Sequence, residues 1–409
     1  MQPTRTANAE ELAPTARPPG SLVAAMLLQY AVGGALFPFV TLLLRDRGLT
    51  VSQIGTVLMC GAAAMLVAPF LWGMLADRFI PLNRLFIVMN LMAVAALGLF
   101  TFQDRYLALM LTLTAFQACY NPTPILTNAI ALHHLPDPQR QFAPVRAWGS
   151  VGWVLPSFPV FVWLIWSGQP NLDFLVWLAM GLGLSMAVAA AWLPHTPPGA
   201  FARPGATAGP GYWVGLRRLL RDPAYLVLIG AYLLVAASFV IQAFYSPVRL
   251  EDLGMSRPWI GLVQSLGVVW EVALFLGRTS IVNRLGVTGS MFVGCGALLL
   301  RQLLFAWVDN LWVLALSYIL VGTTVVLFHI GVNLLVAVMA GREVKSTAQT
   351  ILTLCSSGLG PMLANGAVGR LTAGGVTDLS RLFLFGAGLA AAATLLLLTR
   401  GRRRAAEAC

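Results

Sequence analysis

A chain of 409 residues that is 58% hydrophobic and only 10% charged cannot present a water-soluble surface, and its mean hydropathy of +0.79 describes a polytopic membrane protein. The net charge of +11 does not mark a nucleic-acid binder, because the arginines are scattered between apolar runs and not gathered on one soluble face. No Ser-His-Asp set, phosphate loop or metal-spaced His and Cys group is evident, so enzyme chemistry finds no support and no metal or organic cofactor is expected.

A bilayer core about 30 Å thick takes about 20 apolar residues per helix, so about twelve spans with short connections nearly exhaust this length. Residues 1–19 hold Pro, Glu, Ala and scattered Arg without an apolar core, and read as a disordered cytoplasmic tail, not a signal peptide. Spans are predicted near 20–44, 51–75, 84–103, 106–135, 142–167 and 172–194, forming a first six-helix bundle over 20–194. Pro122, Pro124, Pro156 and Pro159 interrupt spans four and five and predict kinks there. A polar stretch rich in Pro, Gly and Ala follows, and 195–222 reads as a cytoplasmic linker. Further spans near 224–249, 257–283, 287–308, 311–338, 344–370 and 378–399 predict a second six-helix bundle over 223–400, ending in a basic cytoplasmic tail, 401–409. The fold class expected is therefore all-α, a multi-pass membrane protein built from two bundles.

Lys and Arg are retained on the cytoplasmic side of short loops. With both termini cytoplasmic, the outer side holds Arg45, Arg47, Arg105, Arg249, Arg257, Arg370 and Arg381, balanced by Asp46, Asp104, Asp173, Glu251, Asp252, Asp309 and Asp378. Apart from Arg301, the remaining basic residues, Arg78, Arg84, Arg140, Arg217, Arg218 and Arg221 among them, fall on the inner side. The cysteines show no disulfide or metal spacing.

Within the spans, Arg146, Ser150 and Trp153 fall at i, i+4 and i+7, which places a guanidinium, a hydroxyl and an indole on one helical face. Charge is costly at such depth and marks a solute pathway by default. Glu271 is the only acidic residue well inside an apolar span, and a buried carboxylate needs a proton or a partner. Arg301 in span nine is the partner expected for it, a purely structural ion pair being the competing account. His329, with Asn333 one turn later, lines a cavity, relays protons or is a packing residue. Gln29, Asn121, Asn128, Gln242 and Tyr245 are candidates for solute hydrogen bonds, with interhelical bonding as the alternative for each. Trp72, Trp163, Trp166 and Trp312 are assigned to interfacial belts.

Gly73-Met-Leu75-Ala-Asp77-Arg78 resembles the signature loop of major facilitator transporters, whose two bundles rock about a midplane site. That resemblance implies a conformational latch at Gly73, Asp77 and Arg78. Leu36-Phe-Pro-Phe39, Arg146 to Trp153, Ser265 to Val272, and Arg301 resemble the group that contains lactose permease, the nucleoside:proton symporters and the phenylpropionate permease. Two positions depart from lactose permease: Asn128 stands where that carrier has a glutamate, and Val321 and Thr324 stand where counting places its histidine and glutamate. The resemblance implies a monomeric carrier in a bacterial inner membrane. Its partners are the lipid bilayer, protons and a small ring-containing solute such as a nucleoside, sugar or aryl propionate, and the proton gradient is its driving force. Proton-driven efflux fits less well, because span five lacks the Gly-rich pattern of such antiporters. A non-transporting assembly factor would instead show a cavity closed by packing, with Arg146 and Glu271 each satisfied locally.

Overall fold

The computed structural model describes residues 18–168, 171–198, 210–341, 344–374 and 379–407. The tail reading thus falls, for residues 1–17, outside the described residues, as does the linker over 199–209. Eleven described helices are long and apolar enough to cross a membrane. They are Gly20–Asp46 (span one), Val51–Arg78 (two), Leu82–Thr101 (three), Arg140–Ser167 (five), Asp173–Ala190 (six), Pro223–Asp252 (seven), Arg257–Phe275 (eight), Ile281–Trp307 (nine), Leu311–Met339 (ten), Thr347–Leu371 (eleven) and Ser380–Thr399 (twelve). Span four is the missing member. It is broken at Asn121-Pro122 into Tyr106–Tyr120 and Thr123–His134, each piece too short to span alone. Pro156 breaks span five in the same way, between Pro138–Val154 and Ser157–Ser167, because proline cannot donate the hydrogen bond that an unbroken helix requires. Spans eight and nine lie on one helical run, Arg257–Trp307, kinked at Gly286, whose φ of 69° is accessible without strain only to glycine.

Spans one to six and seven to twelve each pack among themselves, and they meet along spans two against eleven, five against eight, and one against seven. At the end opposite the termini, one continuous core joins both bundles, running from Leu43, Phe100 and Leu175 to Tyr245, Leu250, Leu314 and Phe383. At the end carrying the termini the bundles have separate cores. One is centred on Leu22, Phe86 and Met186, the other on Tyr225, Met291 and Val336. The molecule is therefore zipped at one end and parted at the other.

Charge completes the zipped end. Arg257 makes hydrogen bonds of 2.7 Å to both carboxylate oxygens of Asp46 across the seam and also pairs with Glu251. Arg45 crosses the same seam to Asp252 at 2.6 Å. Arg47 to Asp173 and Arg249 to Asp309, each at 2.7 Å, brace the individual bundles. These are the arginines and acids that the loop charges placed together. Thr41 donates to the Phe244 carbonyl, Ser52 to the Gly369 carbonyl and Gln264 to the Pro38 carbonyl, so main chain is tied as well. Between described residues, no hydrogen bond or ion pair crosses the seam at the end carrying the termini. Gly73 has no neighbour in contact with its α-carbon face, and Asp77 and Arg78 are exposed, so the latch inferred for that loop is not engaged in this conformation.

Arg257→Gln removes the bidentate cross-seam pair, leaving Asp46 without its cation and Glu251 with Arg45 alone, 3.5 Å away. It is expected to loosen the zipped end, since breaking one partner of a partly buried pair costs more than the pair contributes. The check is labelling of a Phe244→Cys cavity reporter by a membrane-impermeant thiol reagent added at that end, which should accelerate several-fold.

The tryptophan assignment needs one correction. Trp166 and Trp312 are exposed, but Trp72 is part-buried and donates its indole N–H to the Ala118 carbonyl at 2.9 Å, tying span two to span four. The stretch read as a linker contains a helix. Residues Pro210–Arg221 form a helix that packs Tyr212, Leu216 and Leu219 on the second bundle.

Candidate functional site

A cavity of about 410 Å³ lies between the bundles where the zipped end gives way to the parted one. Its apolar wall comes from Phe37 and Pro38 of span one, Leu58 and Met65 of span two, and Phe239 and Phe244 of span seven. The polar lining is neutral: Gln117 and Asn121 of span four, Gln264 of span eight, and Ser356, Ser357 and Asn365 of span eleven. Amides and hydroxyls at a midplane cavity of this kind offer donors and acceptors without fixed charge.

Trp153 supplies the flat surface of the cavity. Its ring stacks on Phe37 at 6.2 Å and 12°, and its position is set by backbone contact between spans one and five. A Cβ on Gly34 would collide with the Trp153 carbonyl, and one on Gly152 with the Leu27 carbonyl, so two glycines let these helices touch main chain to main chain. The break at Asn121-Pro122 turns Asn121 into the cavity, while Tyr120 donates its hydroxyl to the Gln29 carbonyl at 2.6 Å.

Two of the other sequence candidates stand behind this lining. Tyr245 is buried, and its hydroxyl donates to Asn365 Oδ1 at 2.9 Å, orienting an amide that does face the cavity. Gln29 is likewise buried and donates to Thr123, a tie within the first bundle. Gln242 is 1% exposed with both amide atoms unpartnered, and Asn128 Oδ1 is buried and unpartnered too. Ser150 lies elsewhere. It lines a separate groove of about 280 Å³ between spans five and eight, otherwise walled by Val151, Val154, Leu155, Phe158, Val268, Val269 and Val272.

Arg146 of span five and Glu271 of span eight belong to the two helices that adjoin across the seam, and no ion pair is formed between them in this conformation. The Arg146 guanidinium lies 4.2 Å from the centre of the Tyr30 ring and folds over Gly149. Span eight holds Glu271 firmly, because Gly322 of span ten packs on the Glu271 backbone nitrogen and Trp270 donates to Thr323 at 3.1 Å.

The expected pairing of Glu271 with Arg301 is not formed in this conformation, and helix geometry gives the reason. Glu271 lies fourteen residues in from Arg257 and Arg301 six in from Trp307, both counted from the same face of the bundle. At about 1.5 Å per residue their depths differ by about 12 Å. Arg301, 2% exposed, instead sits 4.0 Å over the Tyr318 ring and 5.1 Å from that of Phe305, with Nε and Nη2 unpartnered. Tyr318 in turn shares a 2.9 Å hydrogen bond with Ser246.

His329 closes a π-helical turn, Val325–His329, and its ring meets Tyr232, Phe239 and Phe328 edge-on at 5.3 to 5.6 Å. Its Nε2 is buried without a partner, and Phe239 separates it from the central cavity. A second π turn, Cys355–Leu359, delivers Ser356 and Ser357 to the cavity wall. Such turns carry one residue more than an α-helical turn and concentrate at functional positions. Gln117, Ser356, Ser357 and Asn365 were not among the sequence candidates, and their signal was the one that selected Asn121: an amide or hydroxyl inside an apolar span.

Twelve spans in two bundles, closed at one end around a neutral central cavity, define a polytopic membrane carrier of small molecules. A family model described as "MFS_1 like family" matches residues 21–386, and the chain belongs to that family of transporters. It is 25% identical over 350 residues to the putative nucleoside transporter YegT of Escherichia coli strain K12, covering 83% of this chain and 80% of that one. It is 28% identical over 323 residues to the probable 3-phenylpropionic acid transporter of the same strain, covering 76% and 80%. The crystal structure of the nucleoside transporter NupG superposes with a TM-score of 0.80 at 19% identity, covering 93% of this chain and 98% of that one, which shows the shared fold.

Proposed function

We propose that the chain is a proton-coupled importer of a small, neutral or weakly acidic, ring-containing solute, a nucleoside before a sugar or an aryl propionate, in a bacterial inner membrane with both termini cytoplasmic. The central cavity carries this reading: an indole stacked on a phenyl ring, ringed by amides and hydroxyls and free of fixed charge, suits a flat heterocycle bearing a hydroxylated ring. The names of the curated relatives support the same class.

In that orientation the zipped end faces outward and the described conformation opens to the cytoplasm. Solute bound from outside stacks on Trp153 and bonds to Asn121, Gln117, Gln264 and Asn365. Glu271 travels protonated with it. Rocking parts the inner seam, solute and proton leave, and the carboxylate then has Arg146 as its counter-charge. The empty carrier returns as a single chain.

The test is uptake by proteoliposomes of the purified protein, with a pH-sensitive dye inside and nucleosides, sugars and aryl propionates offered in turn. Internal acidification that accompanies entry of a nucleoside supports the reading. Entry without acidification removes the coupling, and acidification with an aryl propionate alone replaces the solute class. Trp153→Ala is expected to weaken nucleoside binding by roughly tenfold or more, since base–aromatic stacking is worth about 1–3 kcal/mol. Equilibrium binding to the detergent-purified variant measures this.

A further inference from the structure

We propose that the helix Pro210–Arg221 between the bundles is a membrane-surface anchor that binds anionic phospholipid headgroups through Arg217, Arg218 and Arg221. One face of the helix is already committed. Tyr212, Leu216 and Leu219 pack on the second bundle, Tyr212 shares a 3.0 Å hydrogen bond with Thr347, and Gly215 lies against Val344. The opposite face is uncovered and has a defined pattern. Trp213, Arg217 and Leu220 form one exposed stripe at i, i+4 and i+7, and Val214, Arg218 and Arg221 form a second, parallel stripe at the same spacing.

Trp213 is 61% exposed, Val214 58% and Leu220 44%, so each stripe mixes arginine with apolar surface. A helix facing only water has no reason to show an indole and two aliphatic side chains beside three arginines. A helix at the bilayer surface does, since apolar groups enter the acyl boundary while arginines reach the phosphates. Charge complementarity selects an anionic surface. None of the three arginines pairs with a described carboxylate, and the adjacent Asp222 is occupied in capping the Ala224 backbone nitrogen at 2.8 Å. Exposed Arg78, Arg84 and Lys345 give the same end of the molecule the same sign. Because the helix rides on the second bundle alone, lipid bound there holds that bundle to the membrane surface while the first one rocks.

The experiment is hydrogen exchange of the full-length protein in lipid nanodiscs of phosphatidylcholine alone and of phosphatidylcholine with phosphatidylglycerol. Amides of residues 212–221 are expected to exchange roughly tenfold or more slowly in the anionic discs, given the attraction of each arginine to an anionic surface. Molar salt, or joint Arg217→Gln, Arg218→Gln and Arg221→Gln, should erase that difference, while unchanged protection in span seven reports that the variant is folded. Equal exchange in both lipids, or slowing that survives the triple substitution, overturns the proposal. So does slowing in neutral discs upon addition of inorganic phosphate, which would assign the site to a free anion.

Discussion

Glu271→Gln is expected to abolish solute accumulation against a gradient while solute exchange across the membrane survives. Glutamine keeps the shape and hydrogen-bonding capacity of a protonated glutamate but never ionises, so the carrier is held permanently in the state that travels with solute. Glu271 is the only carboxyl deep within the spans, so no neighbour takes over its proton. Its main chain packs on Gly322 of span ten, a contact the substitution does not touch. The accumulation ratio should fall to about one while counterflow of labelled solute stays near the unmodified rate, the two halves of a cycle in which only the empty return needs the ionised form. Proteoliposomes preloaded with unlabelled solute measure counterflow, and an imposed pH gradient measures accumulation. Retained accumulation would move the coupled proton elsewhere, with His329 the next group to replace.

Gly152→Ala is expected to cost stability and solute binding together. The added methyl would occupy the space of the Leu27 carbonyl, which belongs to a helix backbone and cannot rotate away as a side chain can. Overpacking of this kind costs roughly 3 kcal/mol. Separation of spans one and five also moves Trp153 off Phe37, since the tryptophan follows directly in the chain. A lowered melting temperature in detergent together with weakened solute binding is the expected result. Lost binding with unchanged melting would show that the glycine serves the site and not the packing. Gly73→Ala is the contrasting control, because nothing lies near its position in this conformation.

Much of this architecture was legible in one dimension. Runs of apolar residues located the spans, Pro122 and Pro156 located the breaks, and four of the arginines assigned to the outer side, Arg45, Arg47, Arg249 and Arg257, proved to be literal partners of acids assigned there. Trp153 and Asn121 were found as cavity residues for a simple reason: polar or amphipathic groups are scarce in such spans and have few other places to go. The misjudgements came from relations that a linear reading does not carry. Arg301 and Glu271 lie on adjacent spans, but their depths can be compared only once both helix ends are fixed. Ser150 shares a helical face with Arg146, yet that face is split between the central cavity and the side groove. The π turns before Ile330 and Gly360 contain no proline to announce them, and without them neither His329 nor Ser356 can be assigned a direction. Trp72 looked interfacial by residue type, and only its hydrogen bond to Ala118 reveals a strut.

The seam closed by Arg45, Arg257, Asp46 and Asp252 is made of charges that remain within reach of water, the Arg45 side chain being 43% exposed. Dissolved ions therefore screen it, with a Debye length of about 10 Å at 0.1 M and about 3 Å at 1 M. Among the described residues no comparable set of pairs is formed at the other end in this conformation. In the proposed orientation, the balance between the two faces of the carrier is thereby tied to the salinity of the medium outside: in brine the molecule should rest open to its surroundings for a larger share of its time than in fresh water.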